Sequence, residues 1–147
     1  RDVPIIASAH HEKLDGSGYP QGLKDKEIPK LSNILAVCDV FDALTSQRPY
    51  RDRMDFFEVL KIITQGAGKN FDELFVAALK KVNLSRLLRI MEDDYHEQLL
   101  GSDLDFLYDY NLTDLLLAYN AADPTDEQRN MLDVFHKYYN RNYLETF

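Results

Sequence analysis

The stretch His10-His11-Glu12-Lys13-Leu14-Asp15-Gly16-Ser17-Gly18-Tyr19-Pro20 joins two adjacent imidazoles to a turn that contains two glycines and a proline. The apolar residues before it recur at helical spacing, which predicts a helix over residues 2–13. The glycines and the proline of the turn predict a loop over residues 15–30. Within this loop, Gly16 and Gly18 would let a ligand approach the main chain closely, and Tyr19 offers an aromatic face.

The two histidines admit two interpretations. Adjacent side chains on a helix project about 100° apart, so His10 and His11 reach one metal centre only if they flank it or if it holds several ions. Alternatively, the pair ends its helix and interacts with the negative end of the helix dipole. Taken without the segments that follow it in the sequence, this stretch favours the second interpretation, in which the histidine pair ends a helix.

A second informative segment is predicted to be a helix over residues 31–46. Its apolar face is expected to consist of Leu31, Ile34, Leu35, Cys38, Phe41, Leu44 and Thr45. Asp39 lies beside this face and Asp42 follows one turn later, so both carboxylates are expected to be buried. A carboxylate that faces a core is costly unless it is paired or bound to metal. Imidazole together with carboxylate suits Mn, Fe or Zn better than an ion that prefers thiolates.

Two arginines follow this helix closely. Pro49 ends the helical pattern, and Arg48 and Arg51 flank it. A guanidinium group matches the geometry of phosphate oxygens, so these two side chains are candidate phosphate ligands. They could instead cap the preceding helix or pair with Asp52 and Asp55.

Three segments occur in a fixed order along the chain. They are His-His-Glu-x-x-Asp-Gly-x-Gly-Tyr-Pro at 10–20, Val-Cys-Asp-Val-Phe-Asp-Ala-Leu-Thr-Ser at 37–46 and Arg-Pro-Tyr-Arg at 48–51. Together they resemble the second half of the HD-GYP domain, a bacterial branch of the HD phosphohydrolases that cleaves cyclic di-GMP. The resemblance extends over residues 1–80, approximately, and the joint match of the three segments is specific.

The resemblance implies an all-α fold, a centre of divalent metal ions with Fe or Mn favoured over Zn, and a cyclic dinucleotide substrate. The residues at the metal-ligand positions of the family are His10, His11 and Asp39. Those at its substrate-binding positions are Gly18, Tyr19, Arg48 and Arg51. Asp15 and Asp42 stand where the family has residues that support the ligands.

The chain departs from the family in one respect, because it contains no His-Asp dipeptide. Residues 1–81 are therefore expected to be the C-terminal half of an HD-GYP domain, within a cytoplasmic bacterial signal-transduction protein that is a phosphodiesterase. The remaining ligands would come from the parent protein. We expect the isolated chain to lack this hydrolase activity and to bind metal weakly or not at all.

The remaining segment, residues 82–147, is predicted to be an acidic helical extension. It carries 13 acidic and 5 basic side chains, whereas residues 1–81 carry 12 of each. Such a surface repels nucleic acid and anionic lipid. No apolar run approaches the ~20 residues of a membrane span. Neither a nucleic acid nor a membrane is therefore expected as a partner.

Three helix boundaries are predicted within this extension. One helix is expected from Leu84 to Leu99 with Gly101 as its stop signal, and Ser102 is expected to open the next helix. The last helix is expected to begin with Asp123 as its cap and Pro124 in its first turn.

Seven of the nine tyrosines follow residue 82. They are predicted to belong to the core, with a protein-docking surface or a dimer contact as the alternatives. Two other functions also stay open at this point. One is an HD phosphohydrolase that acts on a nucleotide or on a different cyclic dinucleotide. The other is a non-enzymatic helical module that binds a protein partner through residues 82–147.

Overall fold

The computed structural model describes residues 9, 11–14, 16–19, 21–24, 28–46, 53–92 and 98–140. These residues form seven α-helices, so the predicted all-α class is confirmed. The helices are α1 (Lys30–Thr45), α2 (Phe56–Gln65), α3 (Glu73–Lys80), α4 (Leu84–Met91), α5 (Gly101–Leu107), α6 (Leu112–Asn120) and α7 (Asp126–Tyr139). No helix among the described residues combines the length and the apolar character that are needed to cross a lipid bilayer.

The chain divides into two compact units. The first unit comprises Arg1–Leu44 and Glu58–Ala78, and the second comprises Thr45–Phe57 and Leu79–Phe147. The second unit therefore includes a short segment from within the stretch that carries the HD-GYP resemblance. The predicted division of the chain into domains at residue 81 stays a prediction.

The helix α1 confirms the predicted helix, but only Phe41 and Thr45 of its predicted apolar face are buried. The side chains that are buried are Ser32, Asn33, Ala36, Val37, Phe41 and Thr45. Leu31 and Leu35 are 56% and 43% exposed, and Cys38 is also exposed. Apolar residues occur on every side of this helix, so their periodicity does not determine which side is buried. The buried side includes small residues such as Ala36, which allow close packing.

The next two helices of the first unit are bounded by polar and turn residues. α2 ends at Gln65, directly before the Gly66-Ala67-Gly68 turn. Before α3, the Asp72 carboxylate accepts a hydrogen bond from the Leu74 amide at 2.8 Å. Of the predicted helix over residues 2–13, Ala9 is helical and His11 lies in a turn, while residues 2–8 and His10 lie outside the described residues.

The second unit is built around α7, which packs against α4, α5 and α6. Its buried side chains include Leu84, Leu88, Leu107, Leu112, Leu115, Phe135, Tyr138 and Tyr139. The two buried tyrosines confirm that part of the tyrosine-rich pattern belongs to the core. Asn83 and Asn111 accept hydrogen bonds from the first turns of α4 and α6 through their side chains.

Two predicted boundaries in the second unit are wrong. α4 ends at Met91 instead of continuing to Leu99, and Gly101 begins α5 instead of stopping a helix. Leu100 is the cap of α5 without a side-chain hydrogen bond, so Ser102 does not open this helix. Glycine is compatible with a helix start as well as a helix end, and only packing distinguishes the two.

The start of α7 is displaced by two residues from its predicted position. Thr125 is the N-cap residue, and its hydroxyl accepts a hydrogen bond from the Gln128 amide at 3.1 Å. The Gln128 side chain accepts one from the Thr125 amide at 2.9 Å, which completes a capping box. Asp123 is therefore not the cap, and its carboxylate instead pairs with Arg129 at 3.0 Å.

Candidate functional site

Five of the nine predicted site residues fall within the described residues. These are His11, Gly18, Tyr19, Asp39 and Asp42. The other four, His10, Asp15, Arg48 and Arg51, lie outside the described residues. All five described residues belong to the first unit, and the structure shows how three of them are held in one loop.

The loop is organised by the carboxylate of Glu12, which is 2% exposed. One of its oxygens accepts a hydrogen bond from the Gln21 amide at 2.6 Å, and the other accepts one from the Leu23 amide at 2.8 Å. A buried carboxylate is stable in such a place only when its oxygens are hydrogen-bonded. Glu12 therefore connects its own segment, which directly follows His11 in the sequence, to the main chain at Gln21 and Leu23.

Glycine is required at position 18 because the main chain there lies very close to the main chain of residues 11–13. A Cβ atom at this position would lie 2.4 Å from the His11 carbonyl oxygen and 2.5 Å from the Lys13 nitrogen. The neighbouring amide of Tyr19 donates a hydrogen bond to the same His11 carbonyl at 3.3 Å. Gly18 thus shapes the loop through its lack of a side chain, whereas substrate binding by Gly18 stays a prediction.

His11 and Tyr19 are brought together by this loop. Their rings are stacked, with centroids 4.8 Å apart and planes inclined by 17°. Tyr19 remains 61% exposed, and His11 is exposed as well. The stack fixes the orientation of an imidazole while leaving one aromatic face open to a ligand.

Asp39 and Asp42 lie on α1 and are both exposed, which corrects the prediction that these carboxylates are buried. No group of three histidine, cysteine, aspartate or glutamate residues among the described residues is close enough to hold a metal ion. His11 and Asp39 have donor atoms that suit a divalent metal, but the described residues do not form a metal site by themselves. The ligand roles of His10, His11 and Asp39 stay predictions.

A pocket of about 380 Å³ lies in the first unit. It is lined by Leu14, Gly68, Asp72, Glu73 and Leu74. None of the five predicted site residues that the structure describes lines it. Its two carboxylates would repel a phosphate group, so this pocket does not suit a ligand that carries phosphate.

The role of Glu12 was missed by the sequence analysis, although a signal was present. A glutamate directly before a loop with several closely spaced glycines is surrounded by backbone amides without helical partners. Such amides are natural donors to a carboxylate.

The comparison with protein families identifies the class of the chain. A model of the HD domain matches residues 1–74, which is just over half of the chain. The chain belongs to the HD domain family.

Its similarity to particular proteins is confined to part of each. It is 40% identical, over 98 residues and 67% of its length, to the 3'3'-cGAMP-specific phosphodiesterase 3 of Vibrio cholerae serotype O1, and the match covers 20% of that protein. It is 48% identical, over 73 residues and 50% of its length, to a probable cyclic di-GMP phosphodiesterase of the same organism, 17% of which is covered.

A third relative comes from a different bacterium. The chain is 46% identical, over 77 residues and 52% of its length, to a cyclic di-GMP phosphodiesterase of Thermotoga maritima, 21% of which is covered. The chain thus spans about a fifth of the length of the relatives that it matches.

Proposed function

We propose that the protein containing this chain hydrolyses a phosphodiester bond of a cyclic dinucleotide, with cyclic di-GMP as its substrate. The observation that carries this proposal is the loop in which buried Glu12 holds the stacked rings of His11 and Tyr19. The same loop carries part of the motif that resembles the HD-GYP family. Relatives that match this chain are named phosphodiesterases of cyclic di-GMP or of 3'3'-cGAMP.

The proposal assigns a binding role to each part of the site. The exposed ring of Tyr19 stacks on a base, because aromatic side chains bind bases through their faces. Arg48 and Arg51 donate hydrogen bonds to the phosphate oxygens. Asp15 and Asp42 orient the neighbouring ligands through hydrogen bonds.

The proposal also includes a divalent cation, with Fe or Mn favoured over Zn. A cation of this kind lowers the pKa of water and offsets negative charge on a phosphate group. His10, His11 and Asp39 would contribute three of its ligands, and other parts of the parent protein would supply the rest.

A second candidate substrate is 3'3'-cGAMP, because the relative that matches 67% of this chain is specific for it by name. Both dinucleotides contain two phosphodiester bonds and two purines, so the same loop and arginines would serve either. The two candidates differ only in the base that the site prefers.

The proposal can be tested with the purified parent protein. Chelator treatment should abolish hydrolysis of cyclic di-GMP, and Mn²⁺ or Fe²⁺ should restore it better than Zn²⁺. His11→Ala should lower kcat at least ~100-fold, because an imidazole ligand would be lost. Asp105→Ala, which removes an exposed carboxylate from α5, is the matched control and should leave kcat unchanged.

Two results would count against the proposal. Hydrolysis that persists in His11→Ala or after chelation would show that the proposed metal site does not take part in the reaction. A parent protein that hydrolyses neither dinucleotide would favour the non-enzymatic binding module. Faster hydrolysis of 3'3'-cGAMP than of cyclic di-GMP would select the second candidate substrate.

A further inference from the structure

The segment that closes the loop of the first unit lies against the residues that open it. Glu12 accepts hydrogen bonds from two backbone amides of residues 21–23. Within this segment, Gly22 approaches the Gly16 carbonyl oxygen so closely that a Cβ atom at position 22 would lie 3.3 Å from it. The main chain directly before Lys24 is therefore held in place by contacts that do not involve the lysine side chain.

The side chain of Lys24 lies across Gly16. A Cβ atom at Gly16 would lie 2.9 Å from Lys24 Cγ and 2.8 Å from Lys24 Cε. The aliphatic stem of the lysine thus fills the space that a side chain at position 16 would occupy. The φ angle of Gly16 is +82°, a conformation that favours glycine in any case. The ammonium nitrogen of Lys24 is bonded to Cε, so it lies beside the same loop.

The exposed charges in the described part of this loop are positive. Lys13 and Lys24 are exposed, whereas the Glu12 carboxylate is buried and directs its oxygens to main-chain amides. Tyr19 follows Gly16 by three residues, which span at most ~11 Å of chain. The stem of Lys24 and the open face of the Tyr19 ring therefore belong to one short loop, where a single ligand can contact both side chains.

We propose that Lys24 binds a phosphate group of the cyclic dinucleotide whose base stacks on Tyr19. This inference rests on the proposed function, which assigns a base to Tyr19 and no role to Lys24. The substrate carries a phosphate next to each base, so a ligand seated on Tyr19 brings negative charge to this loop. A lysine ammonium binds phosphate as a point charge. Lys24 contributes to substrate binding in this way and takes no part in the chemical step.

The test is the affinity of the purified parent protein for cyclic di-GMP. Calorimetry after chelator treatment measures it, because hydrolysis then does not consume the ligand. Lys24→Met removes the charge and retains an aliphatic stem that can lie on Gly16. We expect its Kd to rise about 5- to 10-fold, because a charge-assisted contact to phosphate is lost. The Kd of this variant should also depend less on salt concentration, because salt screens the attraction that Lys24 provides.

Two further variants separate the charge of Lys24 from other effects. Lys24→Arg retains the positive charge, so its Kd should stay within about threefold of that of the unmodified protein. Lys69→Met is the matched control, because it removes the charge of another exposed lysine of the first unit. It should change neither the Kd nor its dependence on salt. Both methionine variants should unfold at the same temperature as the unmodified protein, which separates binding from stability.

Three results would overturn the inference. They are a Kd of Lys24→Met within about twofold of the unmodified value, a Kd of Lys24→Arg as high as that of Lys24→Met, or an equal loss of affinity in Lys69→Met. Each leaves the proposed function intact, because the unmodified protein still binds the dinucleotide. A parent protein that binds no cyclic dinucleotide would instead contradict the proposed function and, with it, the ligand assigned to Lys24.

Discussion

At the scale of single residues, the shape of the loop in the first unit depends on Glu12 and Gly18. Glu12 supplies two acceptor oxygens to backbone amides, and Gly18 supplies the space for the crossing of the main chain. His11 and Tyr19 are brought into contact as a result. The contact between His11 and Tyr19 therefore depends on neighbouring residues that hold the loop in shape.

Gly18→Ala should destabilise the first unit by about 1–3 kcal/mol, because the new methyl group would overlap main-chain atoms that cannot move independently. Urea unfolding measures this loss. Gly101→Ala is the matched control, since a Cβ atom there meets nothing within 4 Å. It should be neutral or stabilising by up to about 1 kcal/mol. Equal midpoints for the two variants would contradict the close approach at Gly18.

Glu12→Gln should cost about 1–3 kcal/mol, because one carboxylate oxygen is replaced by an NH₂ group that faces a backbone N–H donor. The same unfolding measurement tests it. The control Glu58→Gln alters an exposed glutamate that pairs with Lys61 at 3.4 Å, and it should cost less than about 1 kcal/mol. A Glu12→Gln variant as stable as the control would show that the loop does not depend on this carboxylate.

At the scale of helices, the observed starts of α5 and α7 differ from the starts that were predicted at Ser102 and Asp123. Thr125 and Gln128 form a capping box, whereas Ser102 lies within α5 and does not cap it. Thr125→Ala should destabilise the second unit by about 1 kcal/mol, because an amide of the first turn loses its acceptor. Ser102→Ala should change stability by no more than about 0.5 kcal/mol.

Thermal unfolding of the two alanine variants distinguishes these expectations. A larger loss for Ser102→Ala than for Thr125→Ala would restore the boundary predicted from sequence. The comparison is well matched, because both residues are small, hydroxylated and exposed.

At the scale of the whole molecule, the unfolding free energy should depend on pH through His136. Burial lowers the pKa of His136 below 6.5, although the charges of Asp55 and Asp133 raise it. The folded state therefore binds fewer protons than the unfolded state between the lowered pKa and 6.5. The stabilising contribution of neutral His136 is present above pH 6.5 and is lost as the pH falls through the lowered pKa.

His136→Gln should reduce the dependence of the unfolding free energy on pH below pH 6.5. Urea unfolding at a series of pH values measures this dependence. Glu92 changes the unfolding free energy with pH in the opposite direction, because burial raises its pKa. Its stabilising contribution is present below pH 4.5 and is lost as the pH rises through the raised pKa. Identical slopes for His136→Gln and the unmodified protein just below pH 6.5 would contradict the assignment to His136.

The sequence by itself determined the all-α class, the position of α1 and the motif that places the chain near the HD phosphohydrolases. These features are local, because helical periodicity, turn residues and motif spacing are properties of short segments. Only the tertiary structure decided which side of α1 is buried, where α4 ends, and that Gly101 begins a helix. It also revealed the carboxylate of Glu12 inside the loop and Glu92 against Arg53. Such features depend on contacts between residues that are distant in sequence, and a sequence pattern does not specify which of several apolar faces those contacts will cover.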